Sequence, residues 1–135
     1  MCHHAVTITE HEGSGLKMMV ESDGWFVGIK NWKPENDLHN LDCLERHLLT
    51  DEVFILLAGR CTLVIAEKDD NDQLSLRAIP LQPHKVYRVA KSVWHNTITW
   101  PGVKLALIEN RDTGVANSEF MPLDEHLRAE LSAVL

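Results

Sequence analysis

Apolar and polar positions alternate in short bursts along most of this chain, and turn-forming residues separate the bursts. LKMMVES reads as a short strand, Ser22-Asp23-Gly24 as a turn, and WFVGIKNW at 25–32 as a strand rich in aromatic and β-branched residues. Pro34 and the polar run ENDLHN mark a loop. The next strand is LDCLERHL, on which Cys43, Glu45 and His47 share one face. A tight LTDE connection leads into VFILLAG, where the alternation stops. A continuous apolar run means that both faces of the strand are covered. A small closed barrel covers only the inner face, so the outer one calls for a helix, a second sheet or a partner subunit. Gly59-Arg60 predicts a β-hairpin into CTLVIAE, and KDDNDQ at 68–73 is a charged loop. LSLRAIPL, VYRVAK, VWHNTITW and VKLALIENR complete the strands, with Trp100-Pro101-Gly102 predicting a hairpin between the last two. Residues 1–15 form either a loose arm or an edge strand through AVTIT.

After NRDTG the period changes. Leu123, Leu127, Leu131 and Val134 recur at helical spacing, with Asp124 and Glu125 in the first turn. This predicts an amphipathic helix of about three turns at about 122–134, able to cover some of the apolar strand surface. About ten short strands with no helices between them point to an all-β sandwich or barrel and argue against a parallel α/β sheet.

Composition narrows the function classes. A chain of 135 residues with 44% hydrophobic and 24% charged content is expected to form one soluble domain with a substantial core. A net charge of −7 argues against nucleic acid and against an anionic membrane surface, both of which need clustered Lys and Arg. No apolar run approaches the roughly 20 residues of a membrane span, and the first residues carry no secretory pattern. Cys2, Cys43 and Cys61 sit at no metal-knuckle spacing and leave one thiol unpaired, so a reducing, cytoplasmic location is expected. Cys2-His3-His4 is read as a frayed terminus.

The chemistry concentrates in Leu44–Gly59, LERHLLTDEVFILLAG, which holds Glu45, His47 and Glu52; a fourth candidate ligand, His95, follows about forty residues later. At these residues the sequence resembles the cupin superfamily. Its first motif, G-x5-H-x-H-x3-4-E-x6-G, is matched in its latter part by His47, Glu52 and Gly59, with Glu45 in place of the first histidine. Its second, G-x5-P-x-G-x2-H-x3-N, keeps its spacing at Ala90, Ser92, His95 and Thr99, but retains only the histidine. The resemblance covers about residues 25–110. It implies a double-stranded β-helix, or jelly-roll barrel, at about 16–112 with the C-terminal helix after it, and it implies His47, Glu52 and His95 as metal ligands. Glu45 has two readings. It completes a ligand set suited to Mn, Fe, Ni or Zn, or it faces the substrate as a catalytic acid or base while the metal keeps three protein ligands.

The expected function is a metal-dependent enzyme, an isomerase, lyase or dioxygenase acting on a small sugar-derived or carboxylate substrate. The alternative is a non-catalytic ligand-binding or sensing cupin, with or without metal. A homodimer is expected from the unbroken apolar face of VFILLA. Cys43 shares the face of Glu45 and His47, and Arg46 points the other way, toward a salt bridge. Four tryptophans (Trp25, Trp32, Trp94 and Trp100) are read mainly as core, and His11, His39, His84 and His126 as solvated. Lys30 and Arg88 are candidates to meet an anionic substrate, but nothing in the sequence places them inside the barrel.

Overall fold

The computed structural model describes residues 5–135, so the Cys2-His3-His4 terminus lies outside the described residues. Ten strands form two five-stranded antiparallel sheets. One has the order β1 (Leu16–Glu21), β2 (Trp25–Asn31), β9 (Lys104–Asn110), β4 (Glu52–Ala58), β7 (Val86–Val89). The other has the order β10 (Ser118–Pro122), β3 (Cys43–His47), β8 (Trp94–Thr99), β5 (Cys61–Lys68), β6 (Leu74–Pro80). Among the described residues one α-helix, α1 (Glu125–Val134), follows, with the Asp124 carboxylate accepting from the Leu127 amide at 2.8 Å to cap its first turn.

Two expected hairpins are corrected by this topology. Gly59-Arg60 joins β4 to β5, and Trp100–Gly102 joins β8 to β9, yet in each case the two strands belong to opposite sheets. The turns themselves exist: the Val103 amide donates to Trp100 O at 3.1 Å. They form a shared corner, where the Trp100 amide donates to Arg60 O at 3.2 Å and Gly59 sits against the backbone of Gly102 and Val103. A local turn signal sets the reversal of the chain, whereas the side from which each strand is covered decides which sheet it joins. β1–β2 and β5–β6 are genuine hairpins. AVTIT forms no strand. SEFMP, which the strand pattern above leaves unassigned, forms the edge strand β10 beside β3.

The burial pattern divides into two cores. Between the sheets, Phe26, Phe54, Leu56, Leu63, Val89, Leu105 and Leu107 fill one end of the barrel. Outside the second sheet, Leu44, Val64, Ala66, Leu76 and Ile98 meet Leu123, just before the helix, and Leu127 and Leu131 of α1. The helix therefore covers β3, β8, β5 and β6 rather than the VFILLA strand for which it was expected. β4 alternates instead: Glu52, Phe54 and Leu56 are buried, while Val53 and Ile55 are half-buried and Leu57 is exposed on the outer face.

The second cupin motif keeps its backbone where it loses its residues. Ser92 has φ 69, and His84, six residues before Ala90, has φ 70, so both positions that carry glycine in the motif adopt the left-handed region here. Gly59 also lies there, at φ 73, and a Cβ on it would meet Gly102 O and Val103 Cα at 2.7 Å. Gly59→Ala is expected to cost about 1–3 kcal/mol by combining backbone strain with a clash at the corner. Thermal melting checks this, and an unchanged midpoint would contradict the corner described here.

Candidate metal centre

Strand alternation builds the site. On β3 the inward positions are Glu45 and His47, while Leu44 enters the helix-side core and Arg46 points outward, pairing with Glu119 at 2.6 Å and lying over the Trp94 ring. On β8 the inward residue in register with Glu45 is His95. Glu52 comes from the opposite sheet, at the start of β4, and reaches the pair across the barrel rather than along one sheet. One donor atom from each of Glu45, His47, Glu52 and His95 lies within 4.8 Å of the others.

Three of the four are buried. Glu52 Oε1 lies 2.8 Å from His95 Nε2 and 3.3 Å from His47 Nε2. The two rings meet edge to face at 5.4 Å. Each imidazole is oriented from behind. His95 Nδ1 lies 2.9 Å from Val93 O, which only accepts, so Nδ1 donates there and Nε2 is the nitrogen that faces the cluster, where it meets Glu52 in the metal-free protein and would be the one to bind a metal. His47 Nδ1 lies 2.8 Å from Ser118 Oγ on β10. Histidines held through one nitrogen in this way are pre-aimed at a metal through the other.

Two participants were not identified from the sequence. Glu109 shares the inward face of β9 with the buried Leu105 and Leu107, and its carboxylate lies 3.6 Å from His47 Nε2. Its Oε2 is buried without a hydrogen-bond partner among the described residues. Ser118 sits on the unforeseen strand β10. The signal for Glu109 was available in KLALIEN, where it is the polar member of an otherwise apolar inward face. Other expectations separate cleanly. Cys43 is half-buried and lies off the cavity wall, and none of the four tryptophans lines the cavity. Lys30 does line it, whereas Arg88 pairs with Asp51 elsewhere. His126 lies exposed on the helix beside Glu130.

The electrostatics favour a cation. Burial alone would raise the Glu52 carboxyl, but hydrogen bonds to His47 and His95 outweigh it and hold the group at about 2. The same bond to Glu52 raises His47 against the opposing effect of burial. Glu109 is pushed up to about 8, first by burial and then by repulsion from Glu52. Carboxylates and imidazole lone pairs that converge in a dry pocket need a proton or a metal between them. With an orphaned carboxylate oxygen at its edge, this N/O donor set fits a divalent transition metal. The adjoining cavity has a volume of about 290 Å³, the scale of a small molecule.

A β-sandwich barrel carrying such a cluster on β3, β4 and β8 defines a cupin. Residues 3–130 match the ureidoglycolate lyase family, and the chain belongs to that family. A protein of Agrobacterium fabrum named ureidoglycolate lyase is 28% identical over 94 residues, which are 69% of this chain and 52% of that protein. The chain thus spans about half the length of the relative it matches. Among solved structures, a variant of Streptomyces Pac13 with uridine superposes with a TM-score of 0.59 at 10% identity, covering 90% of this chain and 93% of that one. KdgF from Halomonas sp. gives 0.50 at 8% identity, covering 73% and 78%. At these identities the two structures establish the shared fold alone.

Glu109 makes the stability of the metal-free protein depend on pH. Its folded-state value of about 8 lies above the ordinary 4.5, so the folded state holds the proton more tightly. That contribution is complete below 4.5 and is lost as pH rises toward 8. Melting of the metal-free protein across this range is expected to show a decline that Glu109→Gln flattens; parallel curves for the two proteins would contradict the assignment.

Proposed function

We propose that this protein is a metal-dependent lyase that cleaves ureidoglycolate or a close relative, a small 2-hydroxy acid bearing a nitrogen leaving group. Membership of the ureidoglycolate lyase family supports the substrate class. The observation that carries the reading is the division of labour within the cluster. His47, Glu52 and His95 are buried and in mutual contact, whereas Glu45 is half-exposed on the cavity wall and makes no hydrogen bond among the described residues.

In this reading His47, Glu52 and His95 hold the metal, which when bound supplies Lewis-acid polarisation of a substrate oxygen. Glu45 accepts the proton of the substrate hydroxyl. The electron pair of that O–H bond becomes the new C=O bond, and the bond from the same carbon to the urea nitrogen breaks. Returning the proton from Glu45 to that nitrogen balances the step, which gives glyoxylate and urea. Phe54 and Leu107 line the inner side of the cavity and limit water there.

Release of glyoxylate and urea from ureidoglycolate tests the reading. Glu45→Gln is expected to retain metal and to lower kcat by about 10²–10⁴-fold, the range for loss of a positioned acid or base. Loss of metal together with turnover would make Glu45 a ligand instead. No turnover of ureidoglycolate by the metal-loaded wild type would overturn the function.

A further inference from the structure

Two lysines, Lys30 and Lys33, line this cavity and are unused by the reaction above; Lys30 is the one that hydrogen-bonds to another residue of the cavity wall. It lies on β2, on the same side as the buried Phe26, and its side chain lines the cavity that also exposes Glu45, His47 and His95. Its Nζ donates to Thr97 Oγ1 at 2.9 Å. Among the described residues this is its only hydrogen bond, and it forms no salt bridge. An ammonium has three N–H donors, so two remain without an acceptor. Thr97 Oγ1 uses a lone pair to accept from Lys30, and its own proton has no acceptor among the described residues. The pair therefore presents free donors to a cavity whose wall also carries Glu45, Glu52, Glu109, His47 and His95.

A lysine that served only as counter-charge for the acidic cluster would be in contact with a carboxylate. Glu45 and Glu52 act on Lys30 only through space, and burial lowers its pKa despite them. The half-buried cation is thus short of an acceptor within the protein and faces a second cation, Lys33, a condition that an incoming anion relieves.

Register fixes where such an anion would sit. Thr97 follows His95 by two residues and faces the same way on β8, which places the Lys30–Thr97 pair roughly 7 Å along the strand from His95. A carboxylate bonded directly to the reacting carbon spans from one to the other.

We propose that Lys30 and Thr97 form a carboxylate subsite that anchors a small 2-hydroxy or 2-oxo acid beside the metal centre, and so select acids over their neutral counterparts. This rests on the lyase reading for the reaction, although the subsite binds an anion whether or not turnover occurs. Titration of glyoxylate into wild type, Lys30→Met and Lys30→Arg, each with and without metal, tests it. Wild type is expected to bind glyoxylate, Lys30→Met at least tenfold more weakly in both metal states, and Lys30→Arg to recover part of the loss. Metal content stays unchanged in both variants, and with ureidoglycolate the Lys30→Met effect falls on KM more than on kcat. Binding of glyoxylate by Lys30→Met as tightly as by wild type, or no binding by wild type, overturns the subsite. Carboxylate binding that depends on Lys30 in a protein without lyase turnover keeps the subsite and removes the reaction.

Discussion

The contact on which this structure depends is the Glu52 carboxylate, extended from one sheet to touch two imidazoles on the other. Glu52 Oε1 is within 2.8 Å of His95 Nε2 and 3.3 Å of His47 Nε2, and all three groups are buried. Removing an ionised carboxylate from water is costly unless a cation or hydrogen bonds compensate it. Whatever cation sits between these groups therefore ties the two sheets together. Glu109 sharpens the requirement by bringing a second inward carboxylate to the same pocket, with one oxygen unpartnered.

The remainder of the fold holds that contact in place. The apolar plug between the sheets fixes their spacing at one end and leaves the polar cluster at the other. On the outside, Leu44 of β3 and Ile98 of β8 join the apolar cluster that α1 completes, so the strands that carry His47 and His95 have packed side chains on the face away from the site. Val93 O and Ser118 Oγ then set the two ring orientations from behind. A rigid site suits a reaction in which a proton moves between two atoms of one small substrate, because little reorganisation is needed at the reacting carbon.

Strand positions were legible in the sequence because alternation and turn residues report local geometry, and nine of the strands fall where the pattern puts them. The pairing was less legible. Gly59-Arg60 and Trp100–Gly102 look like hairpin turns, and only the packing of side chains far apart in sequence sends their flanking strands into different sheets. Glu45, His47, Glu52 and His95 were readable because their spacing follows a known motif, and the same spacing explains why Ser92 and His84 keep a glycine-like backbone. Glu109, Ser118 and the placement of Lys30 had no motif to mark them. Each is a single polar residue whose meaning depends on which face of its strand turns inward, and for Ser118 the strand itself was too short to register.

The central claim is that a metal joins the two sheets at Glu52, and metal analysis of protein purified without nickel chromatography tests it most directly. The expected result is about one divalent transition metal per chain, sharply reduced occupancy in both His47→Ala and His95→Ala, and a lower melting temperature once a chelator removes the ion. Wild-type protein that carries no metal, takes up none when Mn, Fe, Ni or Zn is offered, and melts identically with and without chelator would contradict it.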